Sequence, residues 1–289
     1  MKQHSFVLVG GDIRQVYLGK LLMERGKSVT AVGIERIENR DGVRQTADLA
    51  GACAEADVVL LPLPVMQGRG LLNAPLANVS FRITDVLDAI PEGKLVLGGS
   101  VPQMVFEMAK RRKLRVWDYL EREELAIRNA IPTAEGAVQI AMEQLPVTIH
   151  GLPVLILGSG RIGIALAQRL LGLGANVTVS ARKPEDFARL FAMGCPSIDT
   201  RRLDGALGAY RLIVNTVPDL ILTRELVEQC RADVLLLDLA SGEGGIAPDA
   251  RSLRTRIHAL SLPGKVAPVT AAASICDTVT NMLEEEGRL

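Results

Sequence analysis

The chain has 289 residues, of which Lys and Arg number 33 and Asp and Glu also number 33, so its formal net charge is zero. This balance argues against a basic nucleic-acid-binding surface and against an acidic tail. Hydrophobic residues make up 48% of the chain, which is enough for the cores of two domains, and no apolar run is long enough for a membrane span.

The first half of the chain predicts an α/β domain in which strands and helices alternate. Short apolar runs that end at glycine or proline predict strands at 6–9, 29–32, 58–61 and 95–97. Helical patterns lie between them, as at 14–24 and 103–112. Alternation with short turns predicts a parallel sheet, whose ligands bind outside the carboxyl ends of the strands.

The middle of the chain predicts a connection between two domains. The apolar pattern after Pro132 is helical, and Thr133 is placed to cap that helix. We expect a first domain at 1–125, an inter-domain hinge helix at 126–150, a Rossmann domain at 151–268, and a C-terminal helix at 269–289 that returns to the first domain. A single continuous sheet is the alternative interpretation.

The second half repeats the plan of the first. Strands are predicted at 154–157, 176–179, 212–215 and 234–237, with a short strand near 258–260, and a helix is predicted at 162–173. The predicted fold class is therefore α/β, with two doubly wound parallel-sheet domains joined by inter-domain helices.

A glycine-rich turn predicts that the second domain binds a dinucleotide. An apolar strand leads directly into Gly158-Ser159-Gly160-Arg161-Ile162-Gly163, a G-x-G-x-x-G pattern that opens a helix. The first glycine permits the tight turn, the second lets the pyrophosphate approach the backbone, and the third lets the helix pack closely on the strand. Free amides and the helix dipole would then face the phosphates.

The end of the next strand favours NADP over NAD. An NAD site usually has Asp or Glu about 20 residues after the first glycine, where it holds the ribose 2′-hydroxyl. This chain has Ser180-Ala181-Arg182-Lys183 at that place, and a hydroxyl with two cations suits a 2′-phosphate. The alternative is an NAD site in which Arg182 and Lys183 are ordinary solvated residues.

Two later turns are predicted to complete the cofactor site. Asn215-Thr216-Val217-Pro218 follows the strand beside which the ribose and nicotinamide of such cofactors pass. Asp238 and Ala240 follow the next strand. Since these turns share the carboxyl edge of one sheet with the glycine turn, we expect them to contact the cofactor.

The first domain has a predicted anion site. Gly10-Gly11-Asp12 follows the first strand, and Arg14 at the start of the next helix suits a carboxylate. Ser100, after Gly98-Gly99, adds a hydroxyl near the same edge. In the alternative interpretation, Asp12 caps the helix and Arg14 is solvated.

The cysteines and histidines are not predicted to carry chemistry. The four cysteines are scattered and form no C-x-x-C pair, so we expect no metal site and free thiols in a reducing cytoplasm. The three histidines are not paired with a carboxylate in the sequence pattern, so we expect surface or structural roles for them.

Four segments of the chain resemble a known family, that of the A subunit of dipicolinate synthase. They are 10–15 (GGDIRQ), 129–137 (NAIPTAEGA), 158–163 (GSGRIG) and 262–268 (LPGKVAP), and they occur in order over nearly the whole chain. After the last segment the family pattern continues with Lys-Thr-Ala-Gly, whereas this chain has Val269-Thr270-Ala271-Ala272.

The resemblance implies a reaction, a partner and a location. The reaction is oxidation of dihydrodipicolinate, drawn from the lysine pathway, to dipicolinate (pyridine-2,6-dicarboxylate) in the cytoplasm of the mother cell of sporulating bacteria. The implied partner is the flavoprotein-like B subunit of dipicolinate synthase. The implied fold is similar to that of hydroxyacid and alanine dehydrogenases, with the substrate in a cleft between two domains.

Such a reaction removes a hydride and a proton from a ring that carries two carboxylates. The site therefore needs anchors for both carboxylates and an acceptor for the proton. We expect Arg14 and Lys265 to anchor the carboxylates, and Ser100, Thr133 and Thr270 to donate hydrogen bonds.

Glu135 is the candidate catalytic base, because it follows Pro132 and Thr133 in the predicted hinge. Two alternatives keep the fold and change the function. One is an NAD(P)-dependent dehydrogenase of the alanine or hydroxyacid type, against which the missing His–carboxylate pair counts. The other is a cofactor-binding regulatory protein with little activity alone. A homo-oligomer is a further possible state of the chain.

Overall fold

The structure is a computed structural model that describes residues 4–37, 43–68 and 70–287. Two compact units make up the chain. One consists of Met1–Arg128 together with Ala267–Leu289, and the other of Asn129–Val266. Each unit contains its own sheet, so the alternative of a single continuous sheet is wrong.

Strands and helices alternate along both halves of the chain. The first half contains β1 Ser5–Val9, α1 Ile13–Glu24, β2 Ser28–Val32, β3 Arg44–Gln45, α2 Leu49–Glu55, β4 Val58–Leu60, α3 Ile83–Asp88, β5 Leu95–Gly98, α4 Gln103–Arg111, β6 Arg115–Asp118 and α5 Glu123–Gln144. The second half contains β7 Pro153–Leu157, α6 Arg161–Gly172, β8 Asn176–Ala181, α7 Pro184–Ala192, β9 Ser197–Asp199, β10 Leu212–Asn215, α8 Arg224–Glu228, β11 Leu235–Asp238, β12 Thr255–His258, α9 Leu262–Val266 and α10 Pro268–Glu285.

The two sheets have the same topology. The strand orders are β3-β2-β1-β4-β5-β6 and β12-β11-β10-β7-β8-β9, and the strand pairs are parallel. In each sheet the strand order reverses beside the first strand, next to β4 in one unit and next to β10 in the other. Ligands of doubly wound sheets bind at this reversal, outside the carboxyl ends of the strands. The predicted α/β class with two doubly wound sheets is confirmed.

Both faces of the second sheet are buried, as parallel sheets require. Val154 and Ile156 of β7 pack in one apolar cluster with residues of α5 and α6. Leu155 and Leu157, which alternate with them, belong to a cluster on the opposite face. The strands are therefore continuous apolar runs in the sequence, and this is why they could be predicted from it.

Helix α10 completes the core of the first unit. Its buried residues Ile275, Val279 and Leu283 share one apolar cluster with Leu18 and Leu22 of α1. The first unit is thus built from two segments that are far apart in sequence.

Helix α5 differs from its prediction. It begins at Glu123 and has Pro132 in its interior, so the helix does not start after this proline. The Thr133 hydroxyl donates to Asn129 O at 2.7 Å within the helix, so Thr133 is not a cap. Proline has no amide hydrogen, and the helical ladder therefore lacks the bond to Arg128 O.

Three short strands were not predicted. β3 and β6 are the outermost strands of the first sheet, and β9 is an outermost strand of the second. The residues of β6 are all half-buried, so they have neither the continuous apolar run of a central strand nor a clear alternation.

Candidate functional site

The glycine turn after β7 is shaped by close backbone contacts. Gly158 has a φ of +102°, which favours glycine. A Cβ atom on Gly163 would lie 2.0 Å from Gly158 O, so only glycine allows α6 to approach the turn this closely. A Cβ atom on Gly160 would meet no atom within 4 Å, so this glycine leaves open space.

The same turn presents the amino end of α6. Gly160 is the N-cap residue, and no side chain caps the helix there. The first amides of a helix have no intrahelical acceptor, and the helix dipole makes this end electropositive. Open space beside uncapped amides fits the pyrophosphate of a dinucleotide.

A cavity of about 260 Å³ lies against this turn. Its wall combines the turn with the ends of β8, β9 and β10. The lining residues are Gly158, Ser159, Gly160, Ser180, Ala181, Arg182, Lys183, Asp186, Thr200, Thr216, Val217, Pro218 and Ile221. The predicted cofactor residues outside this wall are Arg161, Ile162, Gly163, Asn215, Asp238 and Ala240. The structure therefore brings most of the predicted cofactor residues into one cavity.

Two cations give this cavity its positive charge. The side chains of Arg182 and Lys183 are exposed, and neither forms an ion pair or hydrogen bond with another described residue. The cavity also has one acidic residue, Asp186, whose carboxylate is paired with Arg189 at 3.2 Å. An anionic group in the cavity would thus meet two cations whose charge no described carboxylate neutralises.

Ser180 is fully buried and bonded within the protein. Its hydroxyl accepts a hydrogen bond from Gly158 N at 3.2 Å, and its Oγ lies 2.9 Å from Thr200 Oγ1. Ser180 therefore joins the glycine turn to the end of β9.

Polar side chains form a row along the carboxyl edge of the second sheet. Asn215 pairs in register with Asp238, and Asp238 with His258. Asn215 Nδ2 donates to Asp238 Oδ1 and to Val217 O, both at 2.9 Å. The side chains of Asn215 and Asp238 are buried, at 1% and 0% exposure. Their hydrogen bonds hold the turns after β10 and β11. Neither Asn215 nor Asp238 lines the cavity.

The Asp238 carboxylate also holds the loop that follows β11. It accepts from Ala240 N at 3.3 Å and from Gly245 N at 3.1 Å, and it pairs with Arg256 at 3.4 Å. Ala240 O is bonded to His258 Nε2 at 2.9 Å. His258 thus contacts the backbone of the loop after β11.

Thr216, Val217 and Pro218 form the wall of the cavity opposite β8. Thr216 Oγ1 donates to Leu157 O at 2.8 Å, which fixes this turn to the first strand. A Cβ atom on Gly158 would lie 2.7 Å from both Thr216 Oγ1 and Val217 Cγ2. The turn after β10 therefore packs directly on the glycine turn.

The predicted anion site of the first unit contains a buried arginine. Asp12 caps α1 by accepting from Arg14 N at 3.0 Å, and it pairs with the Arg14 guanidinium at 2.7 Å. Arg14 also donates to Leu63 O after β4, and it is 6% exposed. The alternative of a solvated Arg14 is wrong. Nη1 forms no hydrogen bond with a described residue.

Ser100 lies at a different point of the same sheet edge. It lines a cavity of about 290 Å³ with Val101, Pro102, Asp118, Leu120 and Glu121. Its φ is +55°, and its backbone amide donates to Asp118 Oδ1 at 3.0 Å. Arg14 does not line this cavity, so the structure does not bring the two predicted substrate residues into one pocket.

The other predicted residues belong to helices α5, α9 and α10. Glu135 is exposed and accepts from Arg169 Nε and Nη2 at 3.2 and 3.1 Å. Lys265 and Thr270 are exposed as well. None of these three lines the cavity against the glycine turn, and their predicted roles stay predictions.

The thiols are held protonated by their surroundings. Burial raises the pKa of Cys53, Cys230 and Cys276 to about 11 and also raises the pKa of Cys195. The described residues contain no cluster of metal-binding side chains. In the same part of the chain, no helix has the length and hydropathy that a bilayer crossing requires.

Sequence reasoning missed Thr200, Asp186 and Ile221, which also line the cavity against the glycine turn. Thr200 follows β9, an edge strand without an apolar run, so no pattern marked it. The parallel pairing of Ala181 with Asp199 places Thr200 beside the end of β8.

Two family models match the chain. The N-terminal domain of the A subunit of dipicolinate synthase matches residues 5–120, and a putative NAD(P)-binding family matches residues 145–243. The second match contains the glycine turn and the residues that line its cavity. The prediction of a nicotinamide-cofactor domain is confirmed at this level.

Similar proteins match over almost the whole chain. The A subunit of dipicolinate synthase from Bacillus subtilis (strain 168) is 30% identical over 287 residues, which cover 97% of this chain and 96% of the relative. The crystal structure of the same subunit from Bacillus halodurans has a TM-score of 0.89 and 28% identity and covers 97% of both chains. An L-alanine dehydrogenase has a TM-score of 0.66 at 15% identity, covering 97% of this chain and 90% of its own, and this likeness concerns the fold alone.

Proposed function

Because this chain belongs to the family of the A subunit of dipicolinate synthase, we propose that it oxidises dihydrodipicolinate to dipicolinate with NADP as the oxidant. Its partner in this proposal is the B subunit of the same enzyme, and its place of action is the cytoplasm of a sporulating mother cell. The family and the NAD(P)-binding domain make the chain an oxidoreductase of dehydrogenase-like fold.

The observation that carries the choice of NADP is the pair of cations at the end of β8. Arg182 and Lys183 line the cavity beside the glycine turn, where the 2′-substituent of the adenosine ribose is expected. A phosphate there would gain charge-assisted hydrogen bonds from Arg182, and a carboxylate that would repel it is absent from Ser180 to Lys183.

The glycine turn fits the rest of the cofactor. Gly160 leaves space next to the uncapped amides of α6, so the pyrophosphate can contact the backbone. NADP, when bound, supplies the hydride acceptor. The chain's own contribution is to hold the cofactor and to position the substrate against it.

The substrate side of the proposal depends on Arg14. Its guanidinium is pre-oriented by Asp12 and Leu63 O, with Nη1 available. A fixed arginine with a donor that has no partner among the described residues suits one carboxylate of a dicarboxylate ring. Ser100, Thr133, Lys265 and Thr270 are the further proposed contacts.

Glu135 is the proposed proton acceptor. Loss of a hydride and a proton makes the ring aromatic, so the reaction needs only a weak base. The ion pair with Arg169 holds the Glu135 carboxylate in a defined position.

The proposal is tested by measuring NADPH and dipicolinate together. The purified full-length chain is supplied with dihydrodipicolinate and either NADP or NAD, with and without the partner protein. We expect NADPH and dipicolinate to form in equal amounts, with dipicolinate measured by the ultraviolet absorbance of its pyridine ring. We also expect kcat/KM to be at least tenfold higher with NADP than with NAD. The double variant R182A/K183A should lose this preference, since each cation contributes about 1–2 kcal/mol to a phosphate contact.

Other results would point to the alternatives. Turnover of 2-hydroxy or 2-amino acids without turnover of dihydrodipicolinate would indicate a dehydrogenase of another substrate class. NADP binding with no turnover, in the presence or absence of the partner, would indicate a regulatory protein. An undiminished NADP preference in R182A/K183A would contradict the assigned role of the cations.

A further inference from the structure

Ser180 lines the cavity, but its hydroxyl is already hydrogen-bonded within the protein. It is fully buried, accepts from Gly158 N at 3.2 Å, and has Thr200 Oγ1 at 2.9 Å. The sequence pattern predicted Ser180 as a contact of the cofactor, but its oxygen is already occupied within the protein.

The number of available hydrogens determines the direction of the bond between the two hydroxyls. Ser180 Oγ already accepts the amide hydrogen of Gly158, and its own hydrogen needs an acceptor because a buried unpaired hydroxyl is costly. The 2.9 Å between Ser180 Oγ and Thr200 Oγ1 permits either hydroxyl to donate, but Thr200 has a second acceptor in Ala181 O and Ser180 has no other acceptor among the described residues. Ser180 therefore donates to Thr200, and the hydrogen of Thr200 must point elsewhere.

The remaining hydrogen of Thr200 is weakly held. The acceptor available to it in the protein is Ala181 O at 3.2 Å, which is longer than the usual distance of about 2.7–2.8 Å for O–H···O bonds. Thr200 is half-buried and lines the cavity beside the glycine turn. Its hydrogen can therefore turn from Ala181 O to an acceptor in the cavity.

The charges around Thr200 indicate which acceptor fits. Arg182 and Lys183 line the same cavity without partners among the described residues, and the Asp186 carboxylate is held by Arg189. Two cations with one available hydroxyl hydrogen suit a phosphate, which only accepts hydrogen bonds at its ionised oxygens.

We propose that Thr200 donates its hydroxyl hydrogen to the 2′-phosphate of NADP and is a specificity-determining residue of the cofactor site. Ser180 is a positioning residue: it links the hydroxyl of Thr200 to the amide of Gly158. This inference rests on the proposed use of NADP, but it concerns binding alone and does not depend on the substrate that is oxidised.

The test compares binding of NADP and NAD to variants of the full-length chain. Dissociation constants are measured by calorimetry for NADP, NAD and adenosine 2′,5′-bisphosphate. T200V should weaken the binding of both 2′-phosphorylated compounds by about ten- to a hundredfold, the usual effect of one charge-assisted hydrogen bond. It should change the affinity for NAD by less than about twofold. T200S keeps the hydroxyl and should restore at least most of the affinity.

S180A separates the two roles. It removes the acceptor of the Gly158 amide, on which both cofactors depend, and also the partner of the Thr200 hydroxyl. It should therefore weaken the binding of both NAD and NADP, and it should change the ratio of their affinities less than T200V does. Circular dichroism and thermal unfolding confirm that each variant is folded.

Equal losses of NAD and NADP affinity in T200V would overturn the inference, as would a loss in T200S as large as that in T200V. Failure of the unaltered protein to prefer adenosine 2′,5′-bisphosphate over adenosine 5′-monophosphate would overturn it as well. If the predicted binding pattern holds and dihydrodipicolinate is not oxidised, the proposed reaction fails and the role of Thr200 stands.

Discussion

Two glycines of the same turn have different roles. Gly163 is required by the fold, since a Cβ atom there would be 2.0 Å from Gly158 O. Gly160 faces empty space and has an ordinary φ of −77°. A methyl group at Gly160 therefore costs the folded chain little, but it occupies the space that a pyrophosphate needs.

Alanine substitutions should separate these two roles. G163A should lower the free energy of unfolding by about 3 kcal/mol or more, because backbone must shift to relieve the contact. G160A should change stability by less than about 1 kcal/mol and weaken NADP binding by about tenfold or more. Urea unfolding and NADP titration give the two quantities.

Gly172 provides a matched control for both variants. It lies in α6, and a Cβ atom added to it would meet no atom within 4 Å. G172A should leave NADP affinity unchanged and stability unchanged or slightly raised. A stable G163A, or a G160A that binds NADP normally, would contradict the roles assigned to these glycines.

The residues of the site were predictable to different degrees. The glycine spacing predicts the turn because Gly158 and Gly163 meet backbone constraints, whereas Gly160 leaves space next to the helix amides. Ser180 and Asp238 lie at the carboxyl ends of strands as ligand residues do, yet they are buried in contacts with other turns. Thr200 carried no signal, since it reaches the cavity only through the pairing of β8 with β9.

At the scale of elements, α10 is joined to the first unit by charges as well as by its apolar face. The Asp277 carboxylate accepts hydrogen bonds from Arg25 after α1 and from Arg128 of α5. Arg122 forms two hydrogen bonds at 2.7 Å with the Glu285 carboxylate. One acidic residue on α10 thus contacts two other helical segments.

This arrangement makes the contribution of Asp277 to the stability of the folded chain dependent on pH. Partial burial raises the pKa of its carboxyl, but the bonds from Arg25 and Arg128 outweigh burial and hold the pKa below its usual value. A lowered pKa in the folded state gives stability that is complete above the unfolded pKa of about 3.9. That stability is lost as the pH falls through the folded pKa.

We therefore expect D277N to lose about 1 kcal/mol of unfolding free energy at neutral pH, a value typical of a partly exposed ion-pair network. The difference from the unaltered protein should shrink as the pH falls below about 4. Urea unfolding at neutral pH and at a pH below about 4 measures this difference in unfolding free energy. E243Q, in an exposed pair with Arg251, is the control and should change stability little at either pH. A D277N effect that is independent of pH would contradict this account.

The elements that sequence predicted well are those buried on both faces. β7 and β10 are central strands with continuous apolar runs, and the structure reproduces their positions. The predicted start of α5 was wrong because local chemistry favours a proline in the first turn, whereas tertiary packing of Ala134, Ala137 and Ala141 keeps the helix continuous through Pro132. Packing of this kind is not visible in a local pattern.

At the scale of the whole molecule, one unit is continuous in sequence and the other is not. Asn129–Val266 forms one unit, whereas Met1–Arg128 needs Ala267–Leu289 to complete it. Ile275, Val279 and Leu283 of α10 are buried in the core of the first unit. Each such side chain contributes about 1.5–3 kcal/mol, so together they approach the total stability of about 5–15 kcal/mol of an ordinary domain.

A chain that ends at Val266 should therefore lose the first unit and keep the second. We expect loss of one unfolding transition and exposure of apolar surface around Leu18 and Leu22 to a hydrophobic dye. NADP binding should persist, since the lining residues of the proposed cofactor cavity lie between Gly158 and Ile221. L283A in the full-length chain is the milder companion variant and should cost about 2–5 kcal/mol. Two undisturbed transitions in the shortened chain would show that α10 is dispensable.

Helix α10 is far in sequence from the rest of its unit, and this distance affects when the unit can fold during synthesis. Nascent domains usually fold as units from the amino terminus as they leave the ribosome. Here the segment Asn129–Val266 is synthesised before α10. Strand β1 and helix α1 are synthesised first, but the core of their unit is incomplete until α10 has also been synthesised. The first unit can therefore complete its core only after the second unit and α10 have both been synthesised.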